Sequence, residues 1–173
     1  MNTDARFKRI DDHRFREKLG LYFEEFRVGD VFEHRPGRTI TEADNIWMSL
    51  LTMNSSPIHF DSAYAATTEW RRCLVDSTIT IAVLTGMSVR TLTGKVVANL
   101  GWDNIRLTNP VFAGDTLYAE SEILGARESR SRPTQGVVTA RTTGKNQEGL
   151  VVCTFERTFL VYKRDHDPCP DIY

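Results

Sequence analysis

The stretch from Ser77 to Thr93 constrains this chain more than any other. Ile79, Ile81, Ala82, Val83, Leu84, Met87, Val89 and Leu92 leave almost no helical face polar, and a helix that is apolar all round must be buried. Its β-branched content suits a strand as well, but an uninterrupted strand of this length is rare. Asp76 or Ser77 can cap its start, and Gly94 suits the left-handed position past its end. The pattern therefore predicts one long helix enclosed by the rest of the chain. No segment reaches the run of about 20 apolar residues that spans a bilayer.

The segments beyond the helix are expected to enclose it. Val96 to Leu107, Thr116 to Arg127, Gly136 to Gly144 and Leu150 to Lys163 read as four strands, separated by Asn109-Pro110, a Ser129 to Pro133 loop and Asn146-Gln147-Glu148-Gly149. The last strand places Cys153, Phe155, Phe159 and Val161 on one face, with Arg157 as the exception. Strands running after a buried helix point to an α+β domain with an antiparallel sheet, not a doubly wound one. Upstream, Val28-Gly29-Asp30 is a turn signal leading into a strand that ends at Thr39. Thr41 can cap a helix in which Ile40, Ala43, Ile46, Trp47, Leu50 and Leu51 recur at helical spacing, so this stripe is expected to be buried. The helix should stop before Ser56-Pro57, because a residue preceding proline avoids the helical region. Asp61 can then cap a short helix through Ala66.

With 173 residues, one domain with extensions is the natural expectation. Residues 1–20 form a charged leader with a ragged apolar stripe, partly helical and docked on the domain; 21–163 form the domain; 164–173 form a polar tail. Forty per cent hydrophobic and 26% charged residues allow a real core. A net charge of -1 offers no general field for nucleic acid. Cys73, Cys153 and Cys169 are widely spaced, indicating neither a disulfide framework nor a cysteine zinc site, and a cytoplasmic location fits best. No Gly-rich phosphate loop, metal-ligand spacing or GxSxG elbow is present, so no cofactor is expected.

Of the four histidines, His59 alone sits among polar groups suited to chemistry, in Asn54-Ser55-Ser56-Pro57-Ile58-His59-Phe60-Asp61. A structural role, with the ring bonded to a backbone carbonyl, is the alternative for it. The segment resembles the R-specific enoyl-CoA hydratase motif of MaoC-like proteins, Asp-x-Asn-Pro-(Ile/Leu)-His. Pro57, Ile58 and His59 match, as do the Thr39-Ile40-Thr41 helix opening, Asp61 and Ala65, the buried helix, and Pro110-Val111-Phe112-Ala113-Gly114-Asp115-Thr116-Leu117. The resemblance covers about residues 21 to 162.

A hotdog fold is implied, with an antiparallel sheet wrapped around the long central helix, together with an acyl-CoA hydratase or dehydratase activity and a homodimer or larger homo-oligomer. The resemblance makes His59 the acid-base group and the Ser77 amide the donor to the thioester oxygen. It also exposes a departure: the family's acid falls on Asn54, and its asparagine on Ser56. An amide cannot take up a proton at working pH, although it can orient water. Either His59 handles both proton transfers with Asn54 positioning water, or the site only binds acyl thioesters. Asp61 and Asp76 are alternative carboxylates, each also explained as a helix cap. Ser56, Asp76 and Arg38 are expected at the substrate, with Arg38, Arg90 or Arg106 available to a second carboxylate on a C5 dicarboxylic acyl-CoA such as itaconyl- or mesaconyl-CoA. Arg71, Arg72, Arg127, Arg130 and Arg132 are candidates for coenzyme A phosphates or simply solvated. A hotdog thioesterase and a non-catalytic acyl-CoA-binding protein are the competing readings.

Overall fold

The computed structural model describes residues 7–170. Its elements run β1 (Phe7–Arg9), β2 (Phe15–Glu17), β3 (Val31–Thr39), α1 (Glu42–Leu51), α2 (Ser62–Ala65), α3 (Ser77–Met87), β4 (Val96–Leu107), β5 (Thr116–Glu128), β6 (Gln135–Lys145) and β7 (Val151–Tyr162). The four predicted C-terminal strands agree with β4 to β7 to within one residue at each end, and Thr39 closes β3 as expected. The leader is not helical where it is described. β1 and β2 pair antiparallel, Phe7 opposite Glu17 and Arg9 opposite Phe15, as a small sheet of their own.

The main sheet has the order β3-β5-β6-β7-β4, with every neighbouring pair antiparallel. One face of it receives α3. Gly144 of β6 makes room for the helix: a Cβ there would lie 2.3 Å from Leu84 Cδ1. Ile79 and Leu84 of α3 join Ile40, Val111, Leu117, Val152 and Phe155 in one apolar cluster, while Phe26, Leu92, Ile123, Val138 and Phe159 form a second. Full burial of side chains of this size contributes about 1.5 to 3 kcal/mol each. Arg157 lies on the same face as Cys153, Phe155, Phe159 and Val161 and is buried with them; its Nη2 donates to Ser88 Oγ.

α3 departs from the prediction in two ways. It ends at Met87 rather than near Thr93, with Ser88 at its C-terminus, and Gly94 does not have a positive φ. Ser88 Oγ donates back to the Thr85 carbonyl at 2.6 Å and so offers the helix end a local partner. Gly94 is needed for a different reason, because a Cβ there would lie within 2.8 Å of the Leu19 backbone. Nor is α3 covered all round: Thr78, Ala82 and Gly86 are exposed along one stripe.

α1 reverses its expected orientation. Thr41 caps it in a reciprocal pairing with Asp44, and Ile40 is buried as predicted. The residues turned inward are Asn45 and Ser49, while Trp47, Leu50 and Leu51 are 66%, 71% and 75% exposed. β4, paired only through β7, is likewise open, exposing Leu100, Trp102, Ile105 and Leu107. Among the described residues no helix is long and apolar enough to cross a membrane.

Candidate active site

Three segments meet where α3 begins. The first is the loop leaving α1, which turns through a single 3-10 turn at Pro57–His59, with Ser56 extended ahead of the proline. Asp61 then caps α2 by accepting from the Tyr64 amide, as the sequence suggests. The second is the strand-like stretch Leu74 to Asp76, and the third is the first turn of α3.

Asn45 joins them. Its Nδ2 donates to the carbonyl of His59 at 2.7 Å and to that of Leu74 at 3.1 Å, and its Oδ1 accepts from the Asp76 amide at 2.9 Å. This residue was not singled out in the sequence. The signal available was a polar residue one position from the Asp44 cap partner, inside an otherwise apolar helical pattern.

His59 is half-buried, and its Nδ1 lies 2.8 Å from the Leu74 carbonyl. A carbonyl only accepts, so Nδ1 carries the hydrogen and Nε2 of the neutral ring keeps its lone pair. The backbone-carbonyl contact anticipated for a structural histidine is thus present, and it leaves the ring with a base nitrogen. Asn54 donates through Nδ2 to Asp76 Oδ2 at 2.5 Å and accepts the Ser56 amide at Oδ1. Asp76 is 3% exposed, and its Oδ1 accepts from both the amide and the hydroxyl of Thr78. Burial works to raise the Asp76 carboxyl, but the bonds from Thr78 and Asn54 and the neighbouring His59 outweigh it and hold it below the usual carboxylate range.

Asp76 takes up two amides of the first turn of α3, Thr78 through its side chain and Ile79 through its carbonyl. Ser77, exposed at the first helical position, donates its amide to no acceptor among the described residues. A free amide at a helix N-terminus is a donor for an oxyanion. Ser77 also lines a cavity of about 260 Å³, together with Trp70, Leu74, Val75, Thr80, Leu107, Thr108, Asn109, Pro110 and Val111. Leu107, which lines it as well, belongs to the edge strand β4.

His59, Asn54, Ser56, Asp76 and Ser77 are therefore brought together. Arg38 is drawn to the start of α1, where Nη2 meets Asp44 at 2.7 Å and Nη1 donates to the Thr39 carbonyl. Arg90 forms a two-pronged pair with Glu17, and Arg106 donates to the Ile105 carbonyl. Arg72 stacks its guanidinium 3.7 Å from the Phe112 ring centroid. Arg127, opposite Val137, stands at the end of the β5–β6 pair remote from the Tyr118–Lys145 end. None of these arginines lines the cavity at Ser77.

The mesaconyl-CoA hydratase family profile matches residues 2–169. The chain belongs to the mesaconyl-CoA hydratase family. It is 33% identical over 146 residues to the mesaconyl-CoA hydratase of Cereibacter sphaeroides, covering 84% of this chain and 42% of that protein. R-hydratase PhaJ1 from Pseudomonas aeruginosa matches at a TM-score of 0.70 and 25% identity, over 84% of this family member and 88% of the hydratase. The Mycobacterium tuberculosis protein RV0216, which has a double hotdog fold, matches at a TM-score of 0.76 and 26% identity over 83% of this chain but only 44% of its own. This member of the mesaconyl-CoA hydratase family is thus a MaoC-like hotdog, with the helix-in-sheet arrangement its sequence implies. It spans less than half the length of the curated relatives it first matches.

Proposed function

We propose that the protein is an acyl-CoA hydratase or dehydratase that adds water across, or removes it to form, the double bond of a branched C5 dicarboxylic enoyl-CoA such as mesaconyl- or itaconyl-CoA. The observation that carries this reading is the hydrogen-bonded network that ties His59, with its Nε2 lone pair, to Leu74 and Asp76, the latter directly preceding the free Ser77 amide that lines the cavity. Hydration needs a base for water and a donor for the thioester oxygen as enolate character develops. His59 takes the proton from water as the oxygen bonds to Cβ, and returns it to Cα. The Ser77 amide stabilises the oxygen meanwhile. The mesaconyl-CoA name of the matched family supports the C5 dicarboxylic class. Since no arginine lines the cavity, the second carboxylate would reach outward, toward solvent or a neighbouring copy.

The acting unit in this reading is a homodimer in the cytoplasm. Relatives of twice the length, the exposed β4 edge and the apolar outer face of α1 support it. Free Cys73, Cys153 and Cys169 suit a reducing compartment.

The test mixes the protein with mesaconyl-, itaconyl- and short linear enoyl-CoAs and monitors loss of conjugated thioester absorbance together with thiol release. Hydration without thiol release is expected, and His59→Ala should lower kcat by about 10² to 10⁴-fold. Thiol release would favour a thioesterase, binding without turnover an acyl-CoA carrier, and a fully active His59→Ala would remove His59 from the chemistry.

A further inference from the structure

We propose that Asp76 supplies the buried negative charge beside which His59 carries its proton during hydration, and that Asn54 holds this carboxylate in place. The proposal rests on the hydratase reading above and assigns the part that an acid at position 54 has in the resembling hydratases.

The geometry comes from three linked contacts. Asn45 grips the His59 carbonyl and the Asp76 amide with one side chain. The His59 ring is tied to the carbonyl of Leu74, two residues before Asp76. Asn54 donates to Asp76 Oδ2 at 2.5 Å, which ties the histidine loop to the carboxylate directly. The Asp76 backbone and carboxylate and the His59 ring are therefore anchored in one hydrogen-bonded network. The nearby imidazole is among the influences that hold the Asp76 carboxyl low, after the bonds from Thr78 and Asn54.

A helix cap alone explains Oδ1, which takes the Thr78 amide and hydroxyl. It does not explain why Oδ2 is buried against the histidine loop with Asn54 as its partner. Asn caps a helix about as well as Asp, so capping gives no reason for a full charge at a residue that is 3% exposed. An imidazolium formed beside the substrate does give one, because opposite charges at close range stabilise one another strongly where water is excluded.

The step balances with water as the sole co-reactant. The water oxygen bonds to Cβ, the Cα=Cβ electron pair shifts toward the thioester carbonyl, and the released proton resides on His59 Nε2 until it is delivered to Cα. Asp76 stays ionised throughout. It is thus a positioning residue acting through His59. Asn54 and Asp76 also form a donor-acceptor pair whose members can be exchanged: aspartate at 54 and asparagine at 76 rebuild the same hydrogen bond with the charge moved across it.

The experiment compares four full-length proteins, the parent, Asp76→Asn, the double variant Asn54→Asp/Asp76→Asn, and His59→Ala, for kcat and KM on the best enoyl-CoA, with thermal melting of each. Asp76→Asn should lose about 10²-fold or more in kcat with KM within a few-fold, and should melt somewhat below the parent, because the cap is retained but Asn54 Nδ2 loses its acceptor. The double variant should recover to within about tenfold of the parent. Asp76→Asn within threefold of the parent, while His59→Ala is inactive, would overturn this proposal and leave the hydratase reading intact. Should Asp76→Asn fail to fold, the double variant decides: a folded, inactive double variant overturns the proposal and an active one supports it. A parent that hydrates none of the enoyl-CoAs overturns both readings.

Discussion

His34 sits inside β3 with no exposed surface, Nδ1 2.6 Å from Thr91 Oγ1 and Nε2 2.8 Å from Ser121 Oγ. Burial first, then the cations of Arg157 and Arg35, push its pKa down to about 4. The ring is therefore neutral in the folded protein at neutral pH and links the two hydroxyls. The unfolded chain takes up this proton near pH 6.5, whereas the folded one takes it up only near pH 4. Between those values the unfolded state binds more protons, so acidification withdraws up to about 3 kcal/mol of stability. The melting temperature is expected to fall through this window, and to fall less in His34→Gln. The carboxylates of Asp44 and Asp76 act in a separate range. Burial raises each and hydrogen bonds outweigh it, so both are held below the usual carboxylate range. Their contribution is present above about pH 4 and is lost as the pH falls through their lowered folded values.

Among the elements, α3 meets β6 closely, because Gly144 leaves Leu84 room that no side chain could share. Gly144→Ala should destabilise the fold by about 1 to 3 kcal/mol through overpacking, measurable by denaturant unfolding, with Leu84→Ala in the same chain recovering part of the loss. The strands were legible because alternation and turn residues mark them locally, and the start of α3 because Asp76 is a helix-capping residue ahead of an apolar run. α1 was not, since its inner face carries Asn45 and Ser49, and an apolar stripe says that something is covered without saying by what. The end of α3 was missed at Ser88, where a side chain bonding back to Thr85 competes with continuation of the apolar pattern. The leader hairpin was missed because β1 and β2 have only three residues each, too few to display an alternation. The link between Asn54 and Asp76 joins residues 22 apart in sequence and could be seen only once the chain was folded.

For the molecule as a whole, α1 has two faces with different duties. Its inner face holds the His59 carbonyl and the Asp76 amide through Asn45, and its outer face presents Ile46, Trp47, Leu50 and Leu51 to water. An exposed apolar surface of this kind marks a place for association, and β4 offers an unpaired strand edge, which natural proteins otherwise protect. In the hydratase reading, a partner on the outer face would bear on the same helix whose Asn45 links the His59 and Asp76 segments. In a second-copy arrangement, specific activity would then depend on how much protein is in the cuvette: progressive dilution should lower the rate per chain as the sedimentation coefficient falls toward that of a monomer. A rate per chain that stays constant through that dissociation would show that α1 keeps the catalytic groups aligned unaided.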